Sequence, residues 1–197
     1  MNKRIRKYSN RGFYPIARKL EFEDTARAEN RLGIRFPADY NSFLSLVNGG
    51  VPREKWLTIH TNLGTVVFEI KKFYAINAIN SWDDLIDVNR NVQDRTPPGC
   101  IVVATDGVDE FALCCHGALM GRMFLLPWMN SDSVVISAET SLSDCFWMFV
   151  EMLKAKEPKS TVPSEILRNL GRPESASKSE ATPTGTAPKK KRAKRQR

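Results

Sequence analysis

Imidazole side chains are the first groups to examine for acid–base catalysis, because they titrate near neutral pH. The chain has two, His60 in an alternating strand pattern and His116 at the end of another. Neither belongs to a nucleophile, metal-binding or phosphate-binding motif. We therefore interpret both as half-exposed strand residues. An enzyme that uses Asp83, Asp87 or His116 in acid–base work is the alternative, and no constellation of residues supports it.

The cluster most similar to a metal site is Cys114-Cys115-His116. Neighbouring residues of a strand point to opposite faces of the sheet, so Cys114 and Cys115 do not easily chelate one ion together. No CxxC pair completes a set of four ligands, and we predict neither a metal nor a cofactor. The four cysteines, which include Cys100 and Cys145, are too few for a disulfide scaffold. We predict that they are reduced, buried thiols.

Two groups of carboxylates fall where a partner could reach them. One group lies at a predicted helix start and the other at a turn between predicted strands. Helix capping and turn formation are sufficient structural reasons for each group taken separately. The functional interpretation is an acidic docking face, since acidic faces speed association with basic partners and set specificity. On that interpretation the partner-binding residues are Asp83, Asp84, Asp87, Asp106, Asp109 and Glu110.

Two helices are predicted near the start of the central part of the chain. A mostly polar helix covers residues 24–32 and is closed by Gly33. A second helix begins near Pro37 and is ended by Gly49-Gly50. The short link of residues 33–36 joins the two as a helical hairpin. The apolar face of the second helix follows a 3.6-residue period and consists of Tyr40, Phe43, Leu44 and Val47.

The middle of the chain is predicted to form strands. Apolar residues alternate with others over residues 57–59 and 66–70, and Asn62-Leu63-Gly64 between these runs indicates a hairpin turn. Three further strands are predicted after Pro97-Pro98-Gly99, and one short strand precedes the last helix. These strands are Ile101–Ala104, Phe111–Cys115, Arg122–Leu126 and Val134–Ile136.

Two later helices are predicted from capping residues. Ser81 is the expected N-cap of the first, with Asp84 in the capping-box position. Ser141 is the expected N-cap of the closing helix, with Asp144 in that position, and its apolar face extends to Leu153. The elements together predict an α+β fold, an antiparallel-rich sheet with an N-terminal helical hairpin and a C-terminal helix packed on it.

The formal net charge of +8 is unevenly distributed over the 197 residues. Residues 1–19 hold seven Lys or Arg and no acidic residue. Residues 20–158 hold 12 basic and 19 acidic side chains, a net charge of −7. Residues 159–197 hold 11 basic and three acidic side chains, a net charge of +8. An acidic body therefore has two basic ends, and the body is expected to attract a basic partner.

These boundaries divide the chain into four parts. We predict a basic N-terminal arm (1–19), an α+β domain (20–157), a short helical extension (158–171) and a disordered basic tail (172–197). The tail contains no Leu, Ile, Val, Met, Phe, Trp, Tyr or Cys that could be buried. Its end could act as a nuclear-import signal, as an electrostatic anchor for nucleic acid, or as a solubilising segment. The basic residues of that end are Lys189, Lys190, Lys191, Arg192, Lys194, Arg195 and Arg197.

The sequence also bears on the compartment. Its longest apolar runs are strand-sized, well short of the roughly 18 residues that a membrane-spanning helix needs, and we predict no membrane partner. The basic N-terminus has no apolar h-region behind it, so export by a signal peptide is not expected. A cytoplasmic location is predicted, or a nuclear one if the host is eukaryotic.

The stretch from Glu29 to Leu44, followed by Asn48-Gly49-Gly50-Val51-Pro52, resembles the N-terminal signature of the SUKH superfamily. That superfamily includes bacterial immunity proteins and fungal cell-wall regulators of the Smi/Knr type. The family pattern is a glutamate-bearing helix, then Leu-Gly, an apolar-Pro pair, Asp-Tyr, Phe-Leu and Asn-Gly-Gly. Here Phe36 stands where leucine is more usual. Looser agreement extends over about residues 20–157.

The resemblance implies a non-enzymatic binding domain, most often an immunity protein that neutralises a cognate toxin by direct binding. Many such toxins are nucleases, which tend to be basic because they hold phosphate, and the acidic body fits that partner. The alternative is a regulatory scaffold of the cell-wall-regulator kind, whose basic tail directs it to the nucleus or to nucleic acid. The two basic ends are not part of the family pattern.

Overall fold

The computed structural model describes residues 12–61, 64–127 and 140–158. Several predicted features lie outside these residues. They are most of the basic arm, the turn residues Asn62 and Leu63, the strand Val134–Ile136, the helical extension and the basic tail with the run Lys189–Arg197.

Two N-terminal helices form where the sequence predicts them. Helix α1 is Phe22–Leu32 and ends at Gly33, which adopts a left-handed conformation with φ 68°. Helix α2 is Ala38–Leu46, and its Tyr40, Phe43 and Leu44 are buried as the apolar spacing predicts. The two helices follow each other closely. Helix α1 packs mainly against a later helix, α3 (Leu85–Asn91), and α2 packs against α4 (Phe146–Glu151), the last helix of the described residues.

The strands of the described residues form three antiparallel sheets. The largest has the order β5-β6-β7-β8, with β5 at Lys72–Phe73, β6 at Cys100–Thr105, β7 at Glu110–Cys114 and β8 at Met123–Leu126. A second has the order β4-β3-β9, with β3 at Trp56–Thr61, β4 at Gly64–Glu69 and β9 at Leu153–Lys154. The short strands β1 (Phe13–Tyr14) and β2 (Val51–Pro52) form the third. The predicted α+β class and the predicted hairpin β3–β4 are confirmed.

One aromatic core joins the helices to the sheets. Phe43 of α2 and Phe146 of α4 lie with ring centroids 4.9 Å apart, and both contact Phe73 of β5. Phe149 of α4 continues the core to Phe111 of β7, at 5.5 Å. All five rings are fully buried. Burial of five phenylalanines is the main reason that α2 and α4 lie on the sheet, since each large apolar side chain contributes about 1.5–3 kcal/mol when buried.

Two helix starts differ from the prediction. Asp84, not Ser81, is the N-cap of α3, since its extended backbone (φ −79°, ψ 123°) lets the carboxylate accept from the Ile86 and Asp87 amides. The backbone of Asp84 also forms a parallel bridge with Ala75, which holds it outside the helix. The N-terminus of α3 is therefore fixed by the sheet as well as by its own sequence.

Helix α4 begins later than predicted, at Phe146 rather than after Ser141. The intervening segment pairs with β8 instead, because the Leu142 amide donates to the Met123 carbonyl and the Met123 amide donates to the Ser143 carbonyl. Asp144, the predicted capping-box residue, lies 3.1 Å from Arg122. Leu153, predicted on the helix face, lies in β9 opposite Leu57.

The cap of α4 comes from another helix. Asp39 of α2 accepts a hydrogen bond from the Phe146 amide through Oδ2, at 2.9 Å. This carboxylate satisfies one of the amides that a helix N-terminus leaves unpaired and suits the positive end of the helix dipole. Asp39 thus ties together two helices whose residues are far apart in the sequence.

Candidate functional site

The two predicted carboxylate groups meet around Lys72. Its Nζ lies 2.6 Å from Asp83 Oδ1, 2.9 Å from the Trp82 carbonyl oxygen and 5.3 Å from the centre of the Tyr74 ring. Lys72 and Tyr74 lie two residues apart along the chain, so both side chains fall on the same side of the sheet. The hydrogen bond from Lys72 lowers the pKa of Asp83, which is therefore a carboxylate at neutral pH. We call Lys72, Tyr74, Asp83, Asp106 and Glu110 the carboxylate patch.

Glu110, the first residue of β7, lies beside Tyr74 in this patch. The Tyr74 hydroxyl donates to Glu110 Oε2 at 3.0 Å, and Arg95 Nη2 lies 3.9 Å from Oε1. Burial raises the pKa of Glu110 to about 7, although the Tyr74 hydrogen bond and the charges of Arg95 and Lys72 act in the opposite direction. Burial also raises the pKa of Tyr74. Glu110 therefore changes charge near neutral pH.

The other predicted partner-binding residues have different positions. Asp87 is partly exposed on α3, and Asp106 accepts from the Val108 and Asp109 amides in the turn before β7. Asp84 and Asp109 are 8% and 0% exposed, so both are largely shielded from solvent, and the Asp84 carboxylate caps α3. None of these positions tests whether a partner binds, and the docking role of all six residues stays a prediction.

An exposed apolar loop adjoins the patch and was missed by the sequence reasoning. Residues 77–84 carry Ile79 and Trp82, which are 94% and 76% exposed. Large aromatic residues that are exposed in the free protein are frequent binding hot spots, because a partner that buries them removes a large apolar area from water. The signal available in the sequence was an isolated tryptophan within Asn-Ser-Trp-Asp-Asp, a turn-like context.

This loop is held in place at both ends. The Asn77 side-chain amide donates to Asp24 Oδ1 of α1 at 2.9 Å, and the Ala78 amide donates to Asp84 Oδ2 at 3.2 Å. The pKa of Asp24 is lowered, mainly by the hydrogen bond that its carboxylate accepts from the Glu21 amide. The Asp24 carboxylate also forms an ion pair with Arg18. The loop is thus anchored to α1 and to the start of α3, and Trp82 is presented from a fixed position.

The residues of the sequence signature have structural roles. Glu29 Oε1 accepts from the Phe36 amide and Oε2 from Arg35 Nη1, both at 2.8 Å, which fixes the link between α1 and α2. Asp39 caps α4. The Asn48 side chain bonds to the backbone of Arg18 and Ile76. The signature therefore builds the scaffold that positions the loop and the patch.

The histidines lie apart from these interactions. Both are exposed, with His60 Nδ1 3.0 Å from Thr65 Oγ1 and His116 Nδ1 3.9 Å from Cys114 Sγ. Within the described residues, no three His, Cys, Asp or Glu side chains are arranged to hold a metal ion. No helix in the described part of the chain combines the length and hydrophobicity that a bilayer span needs.

The raised pKa of Glu110 predicts a pH-dependent stability. The pKa of the Glu110 carboxyl is about 7 in the folded protein, above its ordinary value of 4.5. Proton binding therefore stabilises the folded protein fully below pH 4.5, and this stabilisation is lost as the pH rises through 7. Replacing Glu110→Gln should remove this loss and stabilise the protein above pH 7 by about 1–2 kcal/mol relative to wild type. Urea unfolding at pH 5 and pH 8 measures the difference. A Glu110→Gln protein with the same pH dependence as wild type would contradict it.

A comparison with known protein families agrees with the signature and the fold. A family model described as SMI1 / KNR4 family (SUKH-1) matches residues 19–146. The match covers more than half of the chain, begins before α1 and ends at the first residue of α4. The resemblance that the signature predicts is confirmed. No curated protein matches the chain.

Proposed function

Because the chain belongs to the SMI1 / KNR4 family (SUKH-1), we propose that it is a binding protein without catalytic activity that acts as an immunity protein. It neutralises a cognate protein toxin by direct contact. The observation that carries this proposal is the exposed Trp82 on an anchored loop beside the carboxylate patch.

The patch supports a basic partner. Residues 20–158 have a net charge of −7. Part of it lies in this patch, where Asp83 bonds to Lys72 and the charges of Lys72 and Asp106 both act on Glu110. Lys72 neutralises part of the patch in the free protein, and a partner that supplies its own cation would compete for the Asp83 carboxylate. A toxin that cleaves nucleic acid has such cations, because it must hold phosphate groups. We therefore propose a basic nuclease as the toxin.

Trp82 and the acidic residues would contribute differently to the complex. The indole is expected to supply affinity by filling an apolar pocket of the toxin, and residues of this kind cost about 2–4 kcal/mol when truncated. The carboxylates are expected to supply association rate and orientation, because electrostatic steering acts before contact. The two contributions can be separated by measuring association and dissociation rates at different salt concentrations.

The test is co-expression of the full chain with the toxin encoded beside its gene. Wild type should restore growth and form a complex that persists in gel filtration. Trp82→Ala should weaken the complex about 100-fold, mainly through faster dissociation. Asp87→Lys, at the partly exposed predicted docking residue three positions after Asp84, should slow association, most strongly at low salt. Binding kinetics of the purified proteins at two salt concentrations measure both effects.

Matched controls are available on other elements of the fold. Met148→Ala removes an exposed apolar side chain of α4, and Glu157→Lys reverses an exposed charge near the end of the described residues. Both should bind as wild type does. The proposed surface is wrong if Trp82→Ala and Asp87→Lys bind as tightly and as fast as these controls. The immunity function itself is wrong if wild type neither protects the cell nor binds the toxin.

The basic tail supports the second function considered from the sequence, a regulator directed to nucleic acid. Seven Lys or Arg among the last nine residues would bind phosphate by releasing counterions, and such binding falls steeply with salt. The same purified chain, with and without residues 172–197, distinguishes the two functions. Nucleic-acid binding that needs the tail, together with failure of toxin protection, would favour the regulator.

A further inference from the structure

Cys100 and Cys114 face each other across neighbouring strands. They are register partners in the antiparallel pair β6–β7. The Cys100 amide donates to the Pro97 carbonyl and the Cys114 amide to the Arg122 carbonyl, both at 3.0 Å, so the two cysteines exchange no backbone hydrogen bond. Side chains approach most closely across such non-hydrogen-bonded pairs.

This placement suits a disulfide. The Cα atoms of a non-hydrogen-bonded pair lie about 4.5 Å apart, inside the range of roughly 4.4–6.8 Å that disulfides require. The Cys114 thiol is also near enough to Cys100 to raise its pKa. We propose that Cys100 and Cys114 are a modification site, at which a peroxide converts the two thiols into one intramolecular disulfide.

A cleft borders both cysteines. It has a volume of about 290 Å³, and its lining includes Pro97, Cys100, Cys114, His116 and Leu119. A water molecule occupies about 30 Å³ of liquid, so a hydroperoxide has ample room. Both cysteines are buried, and in the proposal a small oxidant reaches them through this cleft.

The Cys114 thiol donates to the His116 carbonyl oxygen at 3.3 Å. The His116 ring can take the proton of the attacking thiol in the tautomer that leaves Nδ1 unprotonated. Its Nδ1 lies 3.9 Å from Cys114 Sγ, and its imidazole ring packs against the backbone of Gly99. A methyl group at position 99 would lie 2.0 Å from that nitrogen, so glycine at this position leaves the space that the ring occupies. Burial raises the pKa of Cys100 to about 12. Because Cys114 is the cysteine with an imidazole nitrogen near its sulfur, it is the first nucleophile of the proposal.

The reaction balances with hydrogen peroxide as the oxidant. The Cys114 thiolate attacks one peroxide oxygen, the O–O bond breaks, and a sulfenic acid and one water form. Cys100 then attacks the sulfenic sulfur, the S–O bond breaks, and a second water leaves with the thiol proton. Two thiols and one peroxide have become one disulfide and two waters. A dithiol reductant reverses the change by thiol–disulfide exchange, and is itself oxidised to a disulfide.

The other cysteines are placed differently. Cys115 follows Cys114 directly, and its thiol donates to the Leu113 carbonyl at 3.6 Å, so it lies on the opposite side of the strand. Burial raises the pKa of Cys115 as well. Cys145 is half-buried, unlike the other three, and precedes α4. The structure therefore favours one pairing among the four cysteines.

The experiment treats the full, reduced chain with hydrogen peroxide. Free thiols, counted after denaturation, should fall from four to two, and the intact mass should decrease by two hydrogens. Cleavage beside acidic residues separates Cys100 from Cys114, because Asp106, Asp109 and Glu110 lie between them. The fragments should remain joined until a reductant is added, and fragmentation should place the bond between Cys100 and Cys114.

Serine variants provide the controls. Cys145→Ser and Cys115→Ser should each still lose two hydrogens. Cys100→Ser should instead gain one oxygen, as a sulfenic acid at Cys114 that dimedone traps. Oxidation in urea should lose the preference for one pair. The proposal is wrong if the folded chain gains oxygen without losing hydrogen, if the bond involves Cys115 or Cys145, or if the same pair dominates in urea.

Discussion

Replacing Asn48→Leu is expected to lower the free energy of unfolding by about 3–5 kcal/mol. The Asn48 amide donates to the Arg18 and Ile76 carbonyls at 2.8 and 2.9 Å, and its Oδ1 accepts from the Ile76 amide at 2.9 Å. The side chain is buried, so leucine would leave three backbone groups without partners, two of them on Ile76. Asn48 also has φ 48°, a conformation that asparagine tolerates better than leucine.

Urea unfolding with a matched substitution tests this expectation. Asn30→Leu makes the same chemical change at an exposed position of α1 and should alter stability by less than about 0.5 kcal/mol. Equal stability of the two variants would mean that the Asn48 hydrogen bonds contribute little. A large loss of stability in the Asn48 variant alone would show that the Asn48 side chain holds the end of α2 to the chain after β5.

Replacing Gly49→Ala is expected to lower the free energy of unfolding by about 3 kcal/mol or more. Gly49 has φ 74°, and a methyl group there would lie 2.6 Å from the Tyr74 carbonyl oxygen and 2.8 Å from that of Phe73. Both contacts are with backbone, which cannot rotate away as a flexible side chain would. The cost combines backbone strain, about 1–2 kcal/mol, with the displacement of β5 from its position.

Gly117→Ala separates these two contributions. Gly117 has φ 63°, and a methyl group there would meet nothing within 4 Å. The free energy of unfolding of this variant should fall only by the cost of backbone strain, about 1 kcal/mol. Thermal unfolding of the three proteins gives the comparison. If Gly49→Ala and Gly117→Ala lose the same stability, the close approach of β5 to Gly49 has no energetic importance.

Local patterns in the sequence predicted much of the fold. The spacing of Tyr40, Phe43 and Leu44 identified the buried face of α2, because a helix repeats every 3.6 residues. Alternation identified β3 and β4, and Gly33 the end of α1. In each of these cases the determining interactions lie within a few residues of one another.

Features set by distant contacts were not predictable in this way. Ser141 looked like a cap, but residues 142–143 pair with Met123, and Asp39 caps α4 from another helix. Gly49-Gly50 was interpreted only as a helix stop, whereas the structure also shows close packing on the backbone of β5 and β1. Neither a helix period nor a strand period contains information about such neighbours.

The candidate site was partly predictable. The sequence predicts that the two acidic groups form a docking face. In the structure Asp83 bonds to Lys72, and the charges of Lys72 and Asp106 both act on Glu110. The exposure of Trp82 and the burial of Asp84 and Asp109 depend on how loops fold over the sheet. Residue type alone indicates neither, since tryptophan is usually buried and aspartate usually exposed.

The pairing of β3 with β9 has a consequence for synthesis of the protein. Leu57 lies opposite Leu153, and Phe149 of α4 fills the core against Phe73 and Phe111. A nascent chain on the ribosome therefore exposes the aromatic faces of α2 and the sheet until residue 154 has emerged. We expect chaperones to bind it during that interval, and a fragment ending at residue 146, where the family match ends, to aggregate rather than fold.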